Sequence, residues 1–250
     1  MNKGNLNGKV AVVTGASRGI GAATAERLAR DGAAVVVNYS KSAKAADEVV
    51  NRIKKEGGRA SAHKADMSDP AQAKGLIEAA FKEHGRLDIL VNNASIANFL
   101  PLEAVDEKHV RAHLDLNVTG IVFATQAAAA YLPKEGGRVI NVSALGSTMP
   151  MPGISLYSAS KAALNALTRV WAMELGPRGV TVNAVSPGPV ETEMFRAAAT
   201  EDVAKYLISR TPLGRIGMPD DVAGVIAFLA SSDGRWVTGE IIAVSGGCHP

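Results

Sequence analysis

Tyr157 and Lys161 stand four residues apart in Ser155-Leu156-Tyr157-Ser158-Ala159-Ser160-Lys161, a step that puts a phenol and an ammonium on one face of a helix. A free tyrosine, with a pKa of about 10, is a poor proton donor or acceptor at neutral pH, and a neighbouring cation favours its phenolate. Two unit charges ~4 Å apart at an effective dielectric of ~20 interact by roughly 4 kcal/mol, or about three pKa units at the upper limit. That shift predicts a tyrosine titrating near neutrality, able to serve as a general acid or base. Pro150, Pro152 and Gly153 end any earlier element, which places Tyr157 in the first turn of a new helix, where the positive end of the dipole acts in the same direction.

The rest of the chain must position that pair. Short β-branched runs recur at Val10 to Val13, Ala34 to Val37, Ala60 to His63, Leu87 to Val91, Arg138 to Val142, Thr181 to Val185 and Ile241 to Val244, each the length of a buried strand. Between them lie stripes of helical period, such as Ala46, Val49, Val50 and Ile53, or Val222, Val225, Ile226 and Leu229. Alternating strand and helix predicts an α/β fold: a doubly wound parallel sheet of about seven strands with helices on both faces. Ligands of such sheets bind beyond the carboxyl ends of the strands, and the unusual motifs of this chain follow its predicted strands.

No linker, repeat or low-complexity tract divides the 250 residues, so they read as one domain, residues 1 to 250. The net charge of +3 and the lack of long like-charged blocks give no footprint for nucleic acid. The sequence holds no apolar stretch of membrane-spanning length, and its opening, Met1 to Leu6, has no apolar signal core. A cytoplasmic protein without a membrane partner is expected. The single cysteine, Cys248, excludes an internal disulfide and a Cys-based metal cluster and reads as a plain C-terminal residue. His109 and His113 have the spacing of a helical metal pair but lack the Glu of His-Glu-x-x-His. They read as surface histidines, and no metal is expected.

The first predicted strand runs into Thr14-Gly15-Ala16-Ser17-Arg18-Gly19-Ile20-Gly21 and then a helix. Glycines let the backbone turn sharply and approach a pyrophosphate, while the helix start offers unpaired N–H groups to it. The turn lacks the lysine of nucleotide-hydrolase loops, which argues against an ATPase. Ser143 closes the strand Arg138 to Val142, where a serine can donate a hydrogen bond to a substrate carbonyl. Its surroundings, Asn141-Val142-Ser143-Ala144-Leu145, are not a nucleophile elbow, so a hydrolase is disfavoured. Asn117 lies in a long helical run among apolar residues, where asparagine is mildly unfavourable and calls for an offsetting contact.

Thr14 to Gly21, Asn92-Asn93-Ala94, Asn117, Ser143, Tyr157, Lys161 and Pro187-Gly188, in this order over nearly the whole chain, resemble the short-chain dehydrogenase/reductase family. The resemblance implies a single-domain Rossmann-type fold, a nicotinamide cofactor and a catalytic set of Asn117, Ser143, Tyr157 and Lys161. It implies that Asn117 holds a water linking Lys161 to solvent, and that Lys161 holds the nicotinamide ribose. By the same resemblance the cofactor lies along Gly15, Ser17, Arg18, Gly19, Ile20, Gly21, Asn38, Tyr39, Ser40, Asp66, Met67, Asn93, Ala94, Ser95, Pro187, Gly188, Val190 and Thr192, together with Tyr157 and Lys161. An Asp66 that caps the following helix is the alternative. Ser95 stands where the family usually has glycine, which adds bulk beside the cofactor.

Charge selects the form of the cofactor. An acidic residue after the second strand would bind a free ribose 2′-hydroxyl and repel a 2′-phosphate, and Asn38-Tyr39-Ser40-Lys41 contains none. Arg18, inside the glycine turn, is suited to fork onto phosphate, with Ser40 and Lys41 beside it. NADP(H) is therefore expected. Substrate walls are assigned to Ser95, Ile96, Leu145, Met149, Met151, Met194 and Phe195, an apolar, Met-containing set that suits hydrophobic ketones.

The expected reaction is reversible NADPH-dependent reduction of a ketone to a secondary alcohol. The branch resembled is that of 3-oxoacyl-carrier-protein reductases and secondary-alcohol dehydrogenases, so an acyl carrier protein or CoA thioester is the partner if the substrate is a 3-oxoacyl group. Alternatives are a non-catalytic NADP(H)-sensing protein and a sugar or polyol dehydrogenase of the same family. Alanine-rich helical runs, Val105 to Leu132 and Tyr157 to Leu175, permit close packing, and the resemblance implies that they pair between subunits of a homotetramer.

Overall fold

The structure is a computed structural model describing residues 5–149 and 151–248. Pro150 and most of the Met1 to Leu6 opening lie outside them. All seven predicted strands are present: β1 (Val10–Val13), β2 (Ala34–Tyr39), β3 (Arg59–Lys64), β4 (Ile89–Asn92), β5 (Arg138–Val142), β6 (Thr181–Pro187) and β7 (Ile241–Val244). They form one parallel sheet in the order β3-β2-β1-β4-β5-β6-β7. The order reverses direction between β1 and β4, and that reversal opens a crevice at the carboxyl ends of these two strands.

The β-branched runs are continuous rather than alternating because both faces of the sheet are covered. Ala11 and Val13 of β1 enter one core, with Val35, Val37, Ile89 and Val91 of its neighbours. The intervening Val12 enters the other, with Val36 and Leu90. The first core is covered by α1 (Gly19–Arg30), α2 (Ala43–Lys55) and α9 (Pro219–Ala230), through residues such as Leu28, Ile53 and Ile226. The second is covered by α3 (Pro70–His84), α5 (Gly120–Tyr131) and α6 (Ser155–Leu175), through Ile77, Ala124 and Ala172. The predicted Ala46, Val49, Val50 and Ile53 stripe is the buried face of α2.

The helical run expected over 105–132 is interrupted. It comprises α4 (Glu107–Leu114), one π-helical turn over Asp115–Thr119, and α5. Two short helices, α7 (Glu193–Ala198) and α8 (Glu201–Ser209), rise between β6 and α9. None of the described helices is long and apolar enough to cross a membrane.

Candidate active site

Tyr157 falls in the first turn of α6, as its upstream breakers predict, and Lys161 follows one turn later on the same face. The Lys161 Nζ lies 5.8 Å from the centre of the Tyr157 ring. Two hydrogen bonds stitch this turn to the end of β5. Lys161 Nζ donates to the Val142 carbonyl oxygen at 2.8 Å, and Ser143 Oγ donates to the Lys161 carbonyl oxygen at 3.3 Å. The loop after Ser143 is held to α6 as well, because Ser158 Oγ donates to the Gly146 carbonyl oxygen and Asn165 Nδ2 donates to Ser147 Oγ. A methyl group placed on Gly146 would sit 3.6 Å from the Tyr157 ring, so the loop passes directly over the phenol.

The charges of the pair differ from the sequence expectation. Burial pushes the Tyr157 phenol up to about 12 and brings the Lys161 ammonium down to about 7. Withdrawal from water disfavours each group's charged form. Attraction does not offset it here, since Lys161 directs its Nζ at a backbone carbonyl. The tyrosine is protonated at neutral pH rather than titrating there.

Asn117 sits in the π turn, fully buried, and its offsetting contacts are explicit. Its Oδ1 accepts from the Ile96 amide, and its Nδ2 donates to the Ile96 carbonyl oxygen and to Ser160 Oγ, each at 3.0–3.1 Å. The side chain clamps the loop after β4 to α6 beside Lys161. A π turn inside an α-helix widens the helix by one residue and recurs at functional positions.

The other end of the crevice is built around Thr14. Its Oγ1 donates to the Val91 carbonyl oxygen and accepts from the amides of Asn93 and Ala94. Asn93 Nδ2 returns to the carbonyl oxygens of Thr14 and Gly15. The glycine turn needs its glycines here: Gly15 has φ +60°, and a Cβ on it would lie 2.8 Å from Ala94 Cα, while one on Gly21 would lie 2.5 Å from Asn93 Nδ2. Arg18 precedes α1 with no side-chain cap, and no acidic residue occupies the first turn. Asp69, by contrast, caps α3 through the amides of Ala71 and Gln72. The open, acid-free start of α1 fits an anionic group such as a dinucleotide pyrophosphate. Thr192 brings the far side of the crevice over this turn, its methyl 3.3 Å from where a Gly19 Cβ would be.

Several expected site residues are engaged within the protein itself. Asn38 is buried, its Oδ1 accepting from the Gly15 amide and its Nδ2 donating to the carbonyl oxygens of His63 and Ala65, so its side chain braces the glycine turn from beneath. Asp66 accepts from the amide and hydroxyl of Ser68, and the helix cap is Asp69. The Met67 side chain is buried in the core under α5. Arg18 reaches Ser42, not Ser40 or Lys41, with Nη2 donating to Ser42 Oγ at 3.3 Å, and it also pairs with Glu193. Ser95 Oγ makes a weak bond to the Ile96 carbonyl oxygen at 3.4 Å. Pro187 ends β6, its neighbour Gly188 donates to the Val244 carbonyl oxygen, and Val190 forms an isolated bridge with Gly217.

Of the expected substrate walls, Leu145 and Met149 are buried while Met151 and Met194 are exposed at the rim. Cys248 is not a plain C-terminal residue. It is fully buried and packs with Leu145 and Met149 in a small core beside the loop over Tyr157. Phe99 was not singled out by the sequence, yet its ring meets Tyr157 edge-on, centroids 6.0 Å apart. Only the tertiary path of the loop reveals it. His113 is buried, not at the surface, because that side of α4 packs on α6; its Nδ1 bonds the His109 carbonyl oxygen, and burial pushes its pKa down. Among the described residues no group of three or more His, Cys, Asp or Glu side chains is placed to hold a metal.

Comparison with known proteins agrees with this geometry. A family model described as enoyl-(acyl carrier protein) reductase matches residues 15–249. An uncharacterized oxidoreductase of Methylorubrum extorquens is 54% identical over 97% of this chain and 98% of its own length. A hydroxynaphthalene reductase-like protein of Metarhizium brunneum is 41% identical over 97% of this chain and 96% of its own. The crystal structure of a short chain dehydrogenase from Burkholderia cenocepacia in complex with NADP superposes with a TM-score of 0.93 at 43% identity, covering 98% of this chain and 99% of that one. With a parallel seven-stranded sheet, Tyr157 and Lys161 at its carboxyl edge and matches spanning nearly its whole length, the chain belongs to the short-chain dehydrogenase/reductase family of oxidoreductases.

Proposed function

We propose that the protein reduces a hydrophobic ketone to a secondary alcohol with NADPH, reversibly, and that Tyr157 is its general acid and base. The observation that carries this reading is the stitching of Ser143, Lys161 and the first turn of α6 into one cluster at the end of β5. Bound NADPH supplies the hydride for such a reduction. The chain's own residues do the remainder. The start of α1 and the turn Gly15 to Gly21 hold the pyrophosphate, and Arg18 with Ser42 faces the 2′-phosphate. Ser143, its hydroxyl turned from the Lys161 carbonyl, and Tyr157 hydrogen-bond the ketone oxygen as charge develops on it, and Tyr157 Oη releases its proton there. A phenol pushed up to about 12 is in the protonated form that donation needs at neutral pH. Asn117 fixes Ile96 and Ser160 around Lys161, which keeps the ammonium in register with the phenol.

An aromatic ketone is favoured by Phe99 standing edge-on to Tyr157 at the mouth, with Met151 and Met194 exposed at the rim. The names of the hydroxynaphthalene reductase-like relatives support the same class. A homotetramer is supported by Leu114, Val170 and Met173, which leave an apolar face exposed on α4 and α6. Following NADPH absorbance against aromatic, aliphatic and 3-oxoacyl ketones tests the reading. Turnover of the aromatic members, and its fall by about 10² to 10⁴-fold in Tyr157→Phe, is expected. Near-normal turnover in that variant would refute the role of the phenol.

A further inference from the structure

Arg18 is shared between two halves of the crevice. Its guanidinium leaves the glycine turn just before α1, donates through Nη2 to Ser42 Oγ at 3.3 Å, and pairs through Nη1 with Glu193. Glu193 is the first residue of α7, and the methyl of its neighbour Thr192 lies 3.3 Å from where a Cβ on Gly19 would be. The Arg18–Glu193 ion pair therefore ties α7 to the start of α1 beside an open cleft of about 280 Å³ lined by Gly19, Ala22, Thr192 and Glu193. The other acids along this cleft are already engaged, Glu26 by Arg52 at 2.8 Å and Glu191 by Arg196 at 3.1 Å. Glu193 is thus the carboxylate assigned to Arg18, and with side chains 56% and 58% exposed the two form a pair that solvent keeps weak.

We propose that Glu193 is a specificity-determining residue that competes with the 2′-phosphate of NADP(H) for Arg18, so that NADP(H), and not NAD(H), releases α7 from α1. The proposal rests on the reading that Arg18 faces the 2′-phosphate. A phosphate monoester carries roughly two negative charges and forks onto a guanidinium. Placed between Arg18 and Ser42, it stands beside the Glu193 carboxylate, and two anions on one guanidinium repel. The doubly charged group keeps the arginine, and the carboxylate turns to water. NAD(H) brings a hydroxyl to the same place and leaves the ion pair closed. Part of the affinity for the phosphate is spent on opening the pair, and the tie between Glu193 and Arg18 opens only when the phosphorylated cofactor is in place.

The test is the ratio of the NADH to the NADPH dissociation constant, from fluorescence titration of the whole protein, in wild type, Glu193→Gln, Arg18→Ala and the double variant. Hydrogen exchange over residues 191–198 with each cofactor is measured in parallel. Glu193→Gln is expected to raise the ratio by about two- to fivefold, the range an exposed ion pair supports. Arg18→Ala is expected to lower it by about tenfold or more, and Glu193→Gln is expected to add nothing in that background. NADPH, but not NADH, is expected to speed exchange in α7. If Arg18→Ala lowers the ratio while Glu193→Gln leaves it unchanged or lowers it, the competition is overturned and the Arg18 reading stands. If Arg18→Ala leaves the ratio unchanged, the Arg18 reading itself fails, and the proposal with it. Equal exchange with both cofactors removes the release of α7.

Discussion

Lys161 Nζ donates to the Val142 carbonyl oxygen at 2.8 Å, which ties the ammonium to the residue immediately before Ser143. This buried cation is held at the site at a cost to stability, because desolvation brings it from 10.5 to about 7. A lysine whose folded pKa is depressed binds fewer protons folded than unfolded between those two values, so stability rises with pH through that window. Below about 7 the penalty is present in full. Lys161→Met removes the titrating group. Its melting temperature relative to wild type is expected to be most favourable near pH 6 and to become less so steadily towards about pH 10. Thermal unfolding across that range checks this, and a difference that does not change with pH would contradict it. The raised Tyr157 acts from its usual value of 10.0 upward, at the top of this window and beyond the pH 6 to 10 range of the measurement.

Gly120 opens α5 with φ −60°, an ordinary helical angle, so alanine there is favoured by local propensity. The position forbids it because a Cβ would lie 1.7 Å from the Met67 carbonyl oxygen. Gly120→Ala is expected to destabilise the fold by at least the ~1–3 kcal/mol of an overpacked core. The reading is a lowered midpoint in urea unfolding, against a Gly57→Ala control that meets no atom within 4 Å but carries the strain of φ +82°.

Cys248, Leu145 and Met149 share one small core. Cys248→Phe is expected to cost about 1–3 kcal/mol through overpacking, and to lower ketone turnover more than NADPH affinity. The displaced loop is the one that passes over the Tyr157 ring, whereas the glycine turn lies at the other end of the crevice. Turnover and NADPH titration on one preparation check the split.

The sheet was legible because its central strands are short apolar, mostly β-branched runs buried on both faces, and β1, β5 and β7 match their sequence bounds to the residue. The pair Tyr157 and Lys161 was legible because its geometry is local to one helix. The charge state was not, since burial is a property of the whole fold and here exceeds the effect of a neighbouring charge. Asn117 signalled a missing partner, but not that Ile96 and Ser160 would supply it from two other elements or that the helix would widen to a π turn around it. Phe99, Ser42, Glu193 and Cys248 each gain their place by contact with a residue distant in sequence, and none carries a local motif.

The position of Cys248 also sets a sequence of events for the nascent polypeptide. Tyr157, Lys161 and Ser143 are synthesised well before the residue that supports the loop above them, which follows β7. A ribosome paused ahead of that codon would hold Ser143, Tyr157 and Lys161 with the loop after Ser143 still lacking the side chain that Leu145 and Met149 pack against.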